Sequence, residues 1–190
     1  MRRWAYLLLA ISLVSCGNAS RDPASAPPPD ESLFETEAPT APPELPEAVI
    51  ATRDELLGIS TAGSIRRLSY KANAEPNFLS NFGGAEHYSH WDLMRRTGWD
   101  PNLHLIELFK MPYGVRQVGQ ETWYIWPDLA ARDAADLAPE KLSHRDQARL
   151  LALIGPGGVQ ELAAGQPYPG ERTAISESGS WRYFLHETAD

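Results

Sequence analysis

Apolar side chains recur every three or four positions in several segments beyond residue 48, which is the spacing of a helix with one buried face. The clearest segment opens with Asp100 as the N-cap and Pro101 in the first turn, and it stops at Pro112-Tyr113-Gly114. The apolar stripe of this segment comprises Leu103, Leu105, Ile106 and Phe109. We predict a helix here.

Two further segments carry helix start and stop signals. Ser143 and Asp146 form a variant of the capping box, and the apolar positions that follow them end at Gly155-Pro156-Gly157. Ser89 is placed as the N-cap of a helix over residues 90–96, which Gly98 closes. Both segments are predicted to be helical, and the Gly-Pro-Gly run is interpreted as a helix stop.

The pattern changes to β-branched and aromatic residues after Gly114. Residues 115–118 and 122–126 lie on either side of a Gly-Gln pair and predict a first hairpin. Residues 171–176 and 181–186 flank a four-residue turn rich in serine and glycine, and they predict an antiparallel hairpin at the end of the chain.

Helices that precede short strands predict an α+β domain, with several helices packed on a small antiparallel sheet that ends in a C-terminal hairpin. The expected core combines the apolar faces of the helices with four large side chains of the strands. These side chains are Trp126, Ile175, Trp181 and Phe184.

The first sixteen residues differ from the rest of the chain. A short basic start precedes an apolar run from Trp4 to Val14, which is a signal-peptide layout and is too short to cross a bilayer. The run ends in Leu13-Val14-Ser15-Cys16, which resembles the lipobox of bacterial lipoproteins. The resemblance implies cleavage before Cys16 and a diacylglyceryl group on its thiol, and a two- or three-chain anchor of this kind holds stably to a membrane.

The resemblance divides the chain into a signal peptide over residues 1–15, a lipid-attached tether over residues 16–47 and one α+β domain over residues 48–190. The tether is rich in proline, alanine, serine and acidic residues, which predicts a disordered spacer rather than a core. Gly17 follows the cysteine where aspartate is the inner-membrane signal of the family. An outer-membrane location facing the periplasm is therefore favoured in a host with two membranes.

Charge and cysteine content narrow the classes of partner. The formal net charge of -8 gives no broad cationic surface for a phosphate backbone, so nucleic acid is not an expected partner. Cys16 is the one cysteine of the chain, so the domain forms no internal disulfide. No cofactor is expected.

Two sets of residues are candidates for chemistry. Glu86, His87, His90 and Asp92 place two imidazoles and two carboxylates within seven positions, a composition that suits a ligand, a metal or a hydrolytic site, although surface and capping histidines are the commoner explanation. The spacing is not that of an established metal motif, and no metal is assigned. Trp123, Tyr124, Trp126 and Tyr168 are candidates for an aromatic surface that stacks on a sugar or holds a peptide, and core packing is the alternative.

Three functional hypotheses follow. The first is a non-enzymatic envelope lipoprotein whose domain binds an envelope protein, peptide or glycan while lipid on Cys16 holds it at the membrane. The second is an envelope hydrolase that uses the Glu86, His87, His90 and Asp92 set. The third is a small-molecule carrier with a cone-shaped NTF2-like domain, which rests only on the order of helices and strands.

Overall fold

The computed structural model describes residues 43–81 and 86–186. The predicted leader, Cys16 and the tether up to residue 42 lie outside the described residues. The elements in chain order are α1 (Glu47–Thr61), α2 (Ile65–Ala74), β1 (Leu79–Ser80), α3 (His87–Arg96), α4 (Pro101–Lys110), β2 (Gly114–Val118), β3 (Glu121–Trp126), α5 (His144–Ala163), β4 (Arg172–Ser176) and β5 (Trp181–Leu185). Three short 3-10 turns connect β3 to α5.

The strands form one sheet in the order β1-β5-β4-β3-β2. Both predicted hairpins are present: β2 pairs with β3, and β4 pairs with β5 through a register shift between Ala174 and Ile175. The predicted α+β class is confirmed. The sheet is mixed rather than wholly antiparallel, because β1 pairs in parallel with β5. β1 was not predicted because two residues are too few to show the alternation of a strand.

Alternation along β3 gives the domain two cores, one on each face of the sheet. Tyr124 and Trp126 pack with helices α1 to α4, whereas Ile125 packs beneath α5 and the 3-10 turns. Successive side chains of a strand point to opposite faces, so a strand covered on both sides is apolar throughout. The four strand residues predicted for the core are all buried: Trp126, Ile175, Trp181 and Phe184.

Helix α4 begins as predicted, but its buried face differs from the predicted stripe. The Asp100 carboxylate accepts a hydrogen bond from the backbone N–H of Asn102, with Pro101 in the first turn. Leu105 and Leu108 are buried, whereas Leu103 is 61% exposed. Leu103 lies two positions from Leu105, about 200° around the helix, and therefore points away from the core.

The predicted start of α3 is wrong by three positions. The helix begins at His87 after Glu86, and Ser89 lies in its first turn. The Ser89 hydroxyl donates to the Glu86 carboxylate at 3.0 Å instead of accepting from the backbone. The serine therefore stabilises the first turn from inside the helix rather than capping it.

The Gly-Pro-Gly run in α5 interrupts the helix without ending it. Gly155 has φ 65° and ψ 178°, a left-handed conformation that breaks the first helical segment where the sequence predicts. Helical structure resumes at Pro156 and continues to Ala163. Proline suits the first position of a helix because its missing N–H has no partner there.

A buried hydrogen bond in the C-terminal hairpin provides a test of the core. The Thr173 hydroxyl accepts from the Trp181 indole N–H at 2.8 Å and donates to the Tyr183 carbonyl at 2.8 Å. Thr173→Val leaves the indole N–H without a partner, and we expect a loss of about 1–3 kcal/mol in the free energy of unfolding. Urea unfolding, monitored by tryptophan fluorescence, measures this loss in the free energy of unfolding.

The matched control is Thr97→Val, because the Thr97 hydroxyl donates to the Met94 carbonyl at an exposed position. We expect this variant to unfold within about 0.5 kcal/mol of the unchanged protein. Equal losses in the two variants would show that the Thr173 bond does not stabilise the core.

Candidate functional site

The structure separates the four polar residues predicted around the start of α3. His87 is buried, and its Nδ1 lies 2.6 Å from the Asn73 side-chain oxygen. Asp92 is also buried and forms ion pairs with Arg95, at 2.7 Å, and with Arg96. Glu86 is exposed. Within the described ranges, no group of three or more His, Cys, Asp or Glu side chains is arranged to hold a metal ion.

The two histidines of this set are partly desolvated. Burial lowers the pKa of His87, and the nearby His90 lowers it further. Burial also lowers the pKa of His90, with a contribution from His186. Asp92 pairs with arginines and His87 bonds to Asn73, so these two residues do not form a carboxylate–imidazole pair with each other.

The predicted aromatic surface does not form. Tyr124 and Trp126 are buried in the core beneath α1 to α4, and Tyr168 is buried in the opposite core. Trp123 is half-buried and packs with this second core. Alternation along β3 sends Trp123 and Tyr124 to opposite faces, so no single ligand contacts the four rings.

The structure instead assembles a cluster around Glu171, the residue before β4. Its carboxylate accepts hydrogen bonds from Trp99 Nε1 at 2.8 Å, His104 Nδ1 at 2.9 Å and His186 Nδ1 at 2.9 Å. We call these four residues the Glu171 cluster. Trp99, His104 and His186 lie 72, 67 and 15 positions from Glu171 along the chain. No short sequence motif therefore predicts the cluster.

Ring stacking fixes the two imidazoles of the cluster. The Trp99 ring lies 4.7 Å from His104 and 4.3 Å from His186 between ring centroids. An ionised carboxylate only accepts hydrogen bonds, so Nδ1 of each imidazole carries the proton that it donates. In its neutral form each ring therefore presents the Nε2 lone pair on the side away from Glu171.

Glu171 is held in its ionised form. Burial by itself raises the pKa of a carboxyl group, but the hydrogen bonds from His104 and Trp99 together with the charges of His104 and His186 outweigh it. The pKa of Glu171 consequently lies below its usual value, and its half-buried carboxylate is ionised at neutral pH.

A cavity of about 310 Å³ opens beside the cluster, between α4, α5 and the segment that leads into β4. Glu171 and His186 form its polar end. The rest of the lining is mostly apolar: Leu108, Met111, Leu153, Ile154, Tyr168, Pro169 and Gly170. A side chain at Gly170 would enter this space, because its Cβ would lie 2.6 Å from Ile154 Cγ2 and 2.7 Å from the Tyr168 hydroxyl.

A larger groove of about 760 Å³ lies across the sheet face and shares Tyr168 with the cavity. Its charged lining consists of Arg116, Arg132, Arg172 and Asp133, and its aromatic lining includes Trp123 and Tyr183. We call this surface the arginine groove. Three guanidinium groups facing one carboxylate make a local cationic surface in a chain of net charge -8.

Sequence reasoning named Trp123 and Tyr168 of the groove, but it missed the arginines of the groove and the Glu171 cluster. The arginines of the groove occur singly and far apart, so no basic run is visible. Comparison with protein-family models, curated proteins and solved structures finds no match to this chain. Of the helices that the structure describes, none has the length and apolar character needed to span a membrane.

The Glu171 charge provides a test by pH. Glu171→Gln keeps the shape of the side chain but loses the charge-assisted hydrogen bonds, so we expect it to lower the free energy of unfolding by about 1.5–3 kcal/mol near neutral pH. A carboxylate with a lowered folded-state pKa contributes stability above its unfolded pKa and loses that contribution as pH falls through the folded pKa. The difference between the two proteins should therefore shrink below about pH 4.5.

Denaturant unfolding across the acidic range measures this difference. The control is Glu107→Gln, since Glu107 forms an exposed ion pair with Lys110, and we expect an effect below about 1 kcal/mol. A Glu171→Gln difference that stays constant with pH would mean that the charge of Glu171 does not stabilise the fold.

Proposed function

We propose that this protein is a lipid-anchored envelope protein that binds an acidic peptide segment of a partner through the arginine groove. The observation that carries the proposal is the groove itself, a cationic and aromatic surface on an acidic chain. The domain acts as a binding module, and lipid on Cys16 places it at the membrane.

Two arginines of the groove, Arg116 and Arg132, have donors left for a ligand. Arg116 pairs with Asp133 at 2.6 Å, and Arg132 pairs with Asp146 at 3.4 Å. A guanidinium carries five N–H donors in a planar fork that matches a carboxylate, so each of these contacts leaves donors unused. The side chains of Arg116 and Arg132 are 44% and 37% exposed, which keeps those donors accessible.

The position of β2 favours an extended peptide over a compact ligand. β2 is an edge strand of the sheet, and its residues Arg116, Gln117 and Val118 contribute to the groove. Edge strands present backbone N–H and C=O groups to which an extended segment can add, while alternate side chains of that segment enter adjacent pockets. An acidic residue of the peptide would then face the guanidinium of Arg116.

The anchor rests on the resemblance of Leu13-Val14-Ser15-Cys16 to a lipobox. Intact mass of the protein extracted from its host's membranes tests it. We expect a chain that begins at Cys16 and carries a diacylglyceryl group, and we expect Cys16→Ser to remove the lipid mass and the membrane association. An unmodified chain, or one that retains Met1, would contradict the anchor.

Photo-crosslinking in living cells tests the groove. A photoreactive side chain at Gln117 lies on the edge strand within the groove, whereas one at Leu103 is exposed on α4 outside it. We expect a discrete crosslinked partner from position 117 that is absent from position 103. Crosslinks of equal yield at both positions, or none at position 117, would contradict the proposed site.

Charge variants identify the recognition chemistry. Arg116→Gln and Arg132→Gln should each lower the crosslinking yield severalfold, because each removes a charged donor from the groove. Arg67→Gln on α2 removes the same charge from another exposed surface and should leave the yield unchanged. Equal effects of all three variants would indicate general charge attraction rather than binding in the groove.

A further inference from the structure

We propose that the cavity beside Glu171 is a second binding site, separate from the arginine groove, which takes a primary ammonium group carried on a short aliphatic chain. The two surfaces share Tyr168 but differ in charge. The proposal does not depend on the lipid anchor or on a peptide partner.

The polar end of the cavity is electronegative. Glu171 keeps a carboxylate at this end, and its three hydrogen bonds come from the rings of Trp99, His104 and His186. His186 lines the cavity and donates from Nδ1, so its neutral ring offers Nε2 as an acceptor. A carboxylate at this end favours a ligand group that is positive and rich in N–H donors, and it disfavours an anion.

The opposite wall limits the rest of the ligand. Leu108, Met111, Leu153, Ile154 and Pro169 contribute apolar surface without a charge. A volume of about 310 Å³ is at the lower end for ligand pockets, which restricts the occupant to a small molecule. An unbranched chain of about six carbons provides the apolar contact that such a wall favours.

Tyr168 gives an independent indication of a bound polar group. Its side chain is 4% exposed, and among the described residues its hydroxyl has no hydrogen-bond partner. Buried hydroxyls in native proteins are almost always hydrogen-bonded, to protein or to a bound molecule. Burial raises the pKa of Tyr168 above its usual value, so the phenol stays neutral and its oxygen can accept an ammonium N–H.

A metal ion fits the site less well than an ammonium group. Nδ1 of both histidines faces the carboxylate, and the described part of the chain contains no set of three ligand side chains arranged for a metal. The apolar wall also matches an alkyl chain better than the water shell of a metal ion.

Isothermal titration of the purified protein with hexylammonium, hexanol and hexanoate tests the proposal at about pH 8. The three probes share a tail and differ in the charge of the head. We expect hexylammonium to bind at least about tenfold more tightly than hexanoate, with hexanol between them. Equal affinities, tighter binding of hexanoate, or no binding of hexylammonium would overturn it.

Three variants locate the binding. Glu171→Gln should weaken hexylammonium by about tenfold or more while changing hexanol less, because only the first probe uses the charge. Leu153→Trp should block the cavity with Glu171 intact, whereas Leu151→Trp, two positions along α5 and 51% exposed, should bind like the unchanged protein. Circular dichroism of each variant checks that it folds.

The arginine groove supplies the last control. Arg116→Gln should leave hexylammonium affinity unchanged, since Arg116 lines the groove and not the cavity. If Arg116→Gln weakens hexylammonium as much as Glu171→Gln does, the probe does not bind at the proposed site. Absence of a crosslinked partner at position 117 of the otherwise unchanged protein, with intact hexylammonium binding, would contradict the proposed function alone.

Discussion

Strands β3, β4 and β5 pack against other elements on both faces, and the positions of the helices follow from this constraint. Each strand sends apolar side chains in both directions: Trp126, Ile175 and Phe184 toward α1 to α4, and Ile125, Ala174 and Tyr183 toward α5. A sheet buried on both faces needs a layer of helices on each side. The long passage from β3 through the 3-10 turns to α5 provides the second layer.

The same pairing of strands creates the Glu171 cluster. Arg172 lies opposite Leu185 in the register of β4 and β5, so the residues just beyond that pair, Glu171 and His186, meet at one end of the hairpin. Packing of α4 against β4 adds His104, and the connection before α4 adds Trp99. The Glu171 cluster is thus a consequence of the register of the β4–β5 hairpin and of the packing of α4 against β4.

The two candidate sites lie on either side of Tyr168 and have opposite electrostatic character. Glu171 supplies a carboxylate to one, and the next residue, Arg172, lines the other. Neighbouring residues of an extended segment point in opposite directions, which explains how adjacent charges serve two separate surfaces. The proposed anion-binding groove and the proposed cation-binding cavity are consistent with this arrangement.

By itself the sequence determined the local elements of this protein. Asp100 and Pro101 start α4, Ser143 starts α5, and the two hairpins and the buried Trp181 follow from patterns carried by near neighbours. Local dihedral preferences and side-chain periods are properties of a few consecutive residues, so a sequence displays them directly. The lipobox at Cys16 is also local, and it stays a prediction because it lies outside the described residues.

Only the tertiary structure decided which polar residues meet. His87 and His90 are near in sequence, yet His87 bonds to Asn73 in the interior, whereas Glu171 meets His104 from 67 positions away. The exposure of Leu103 and the parallel pairing of β1 were likewise settled by packing. Convergence of distant side chains depends on the registers and crossings of whole elements, and no short pattern of residues encodes these.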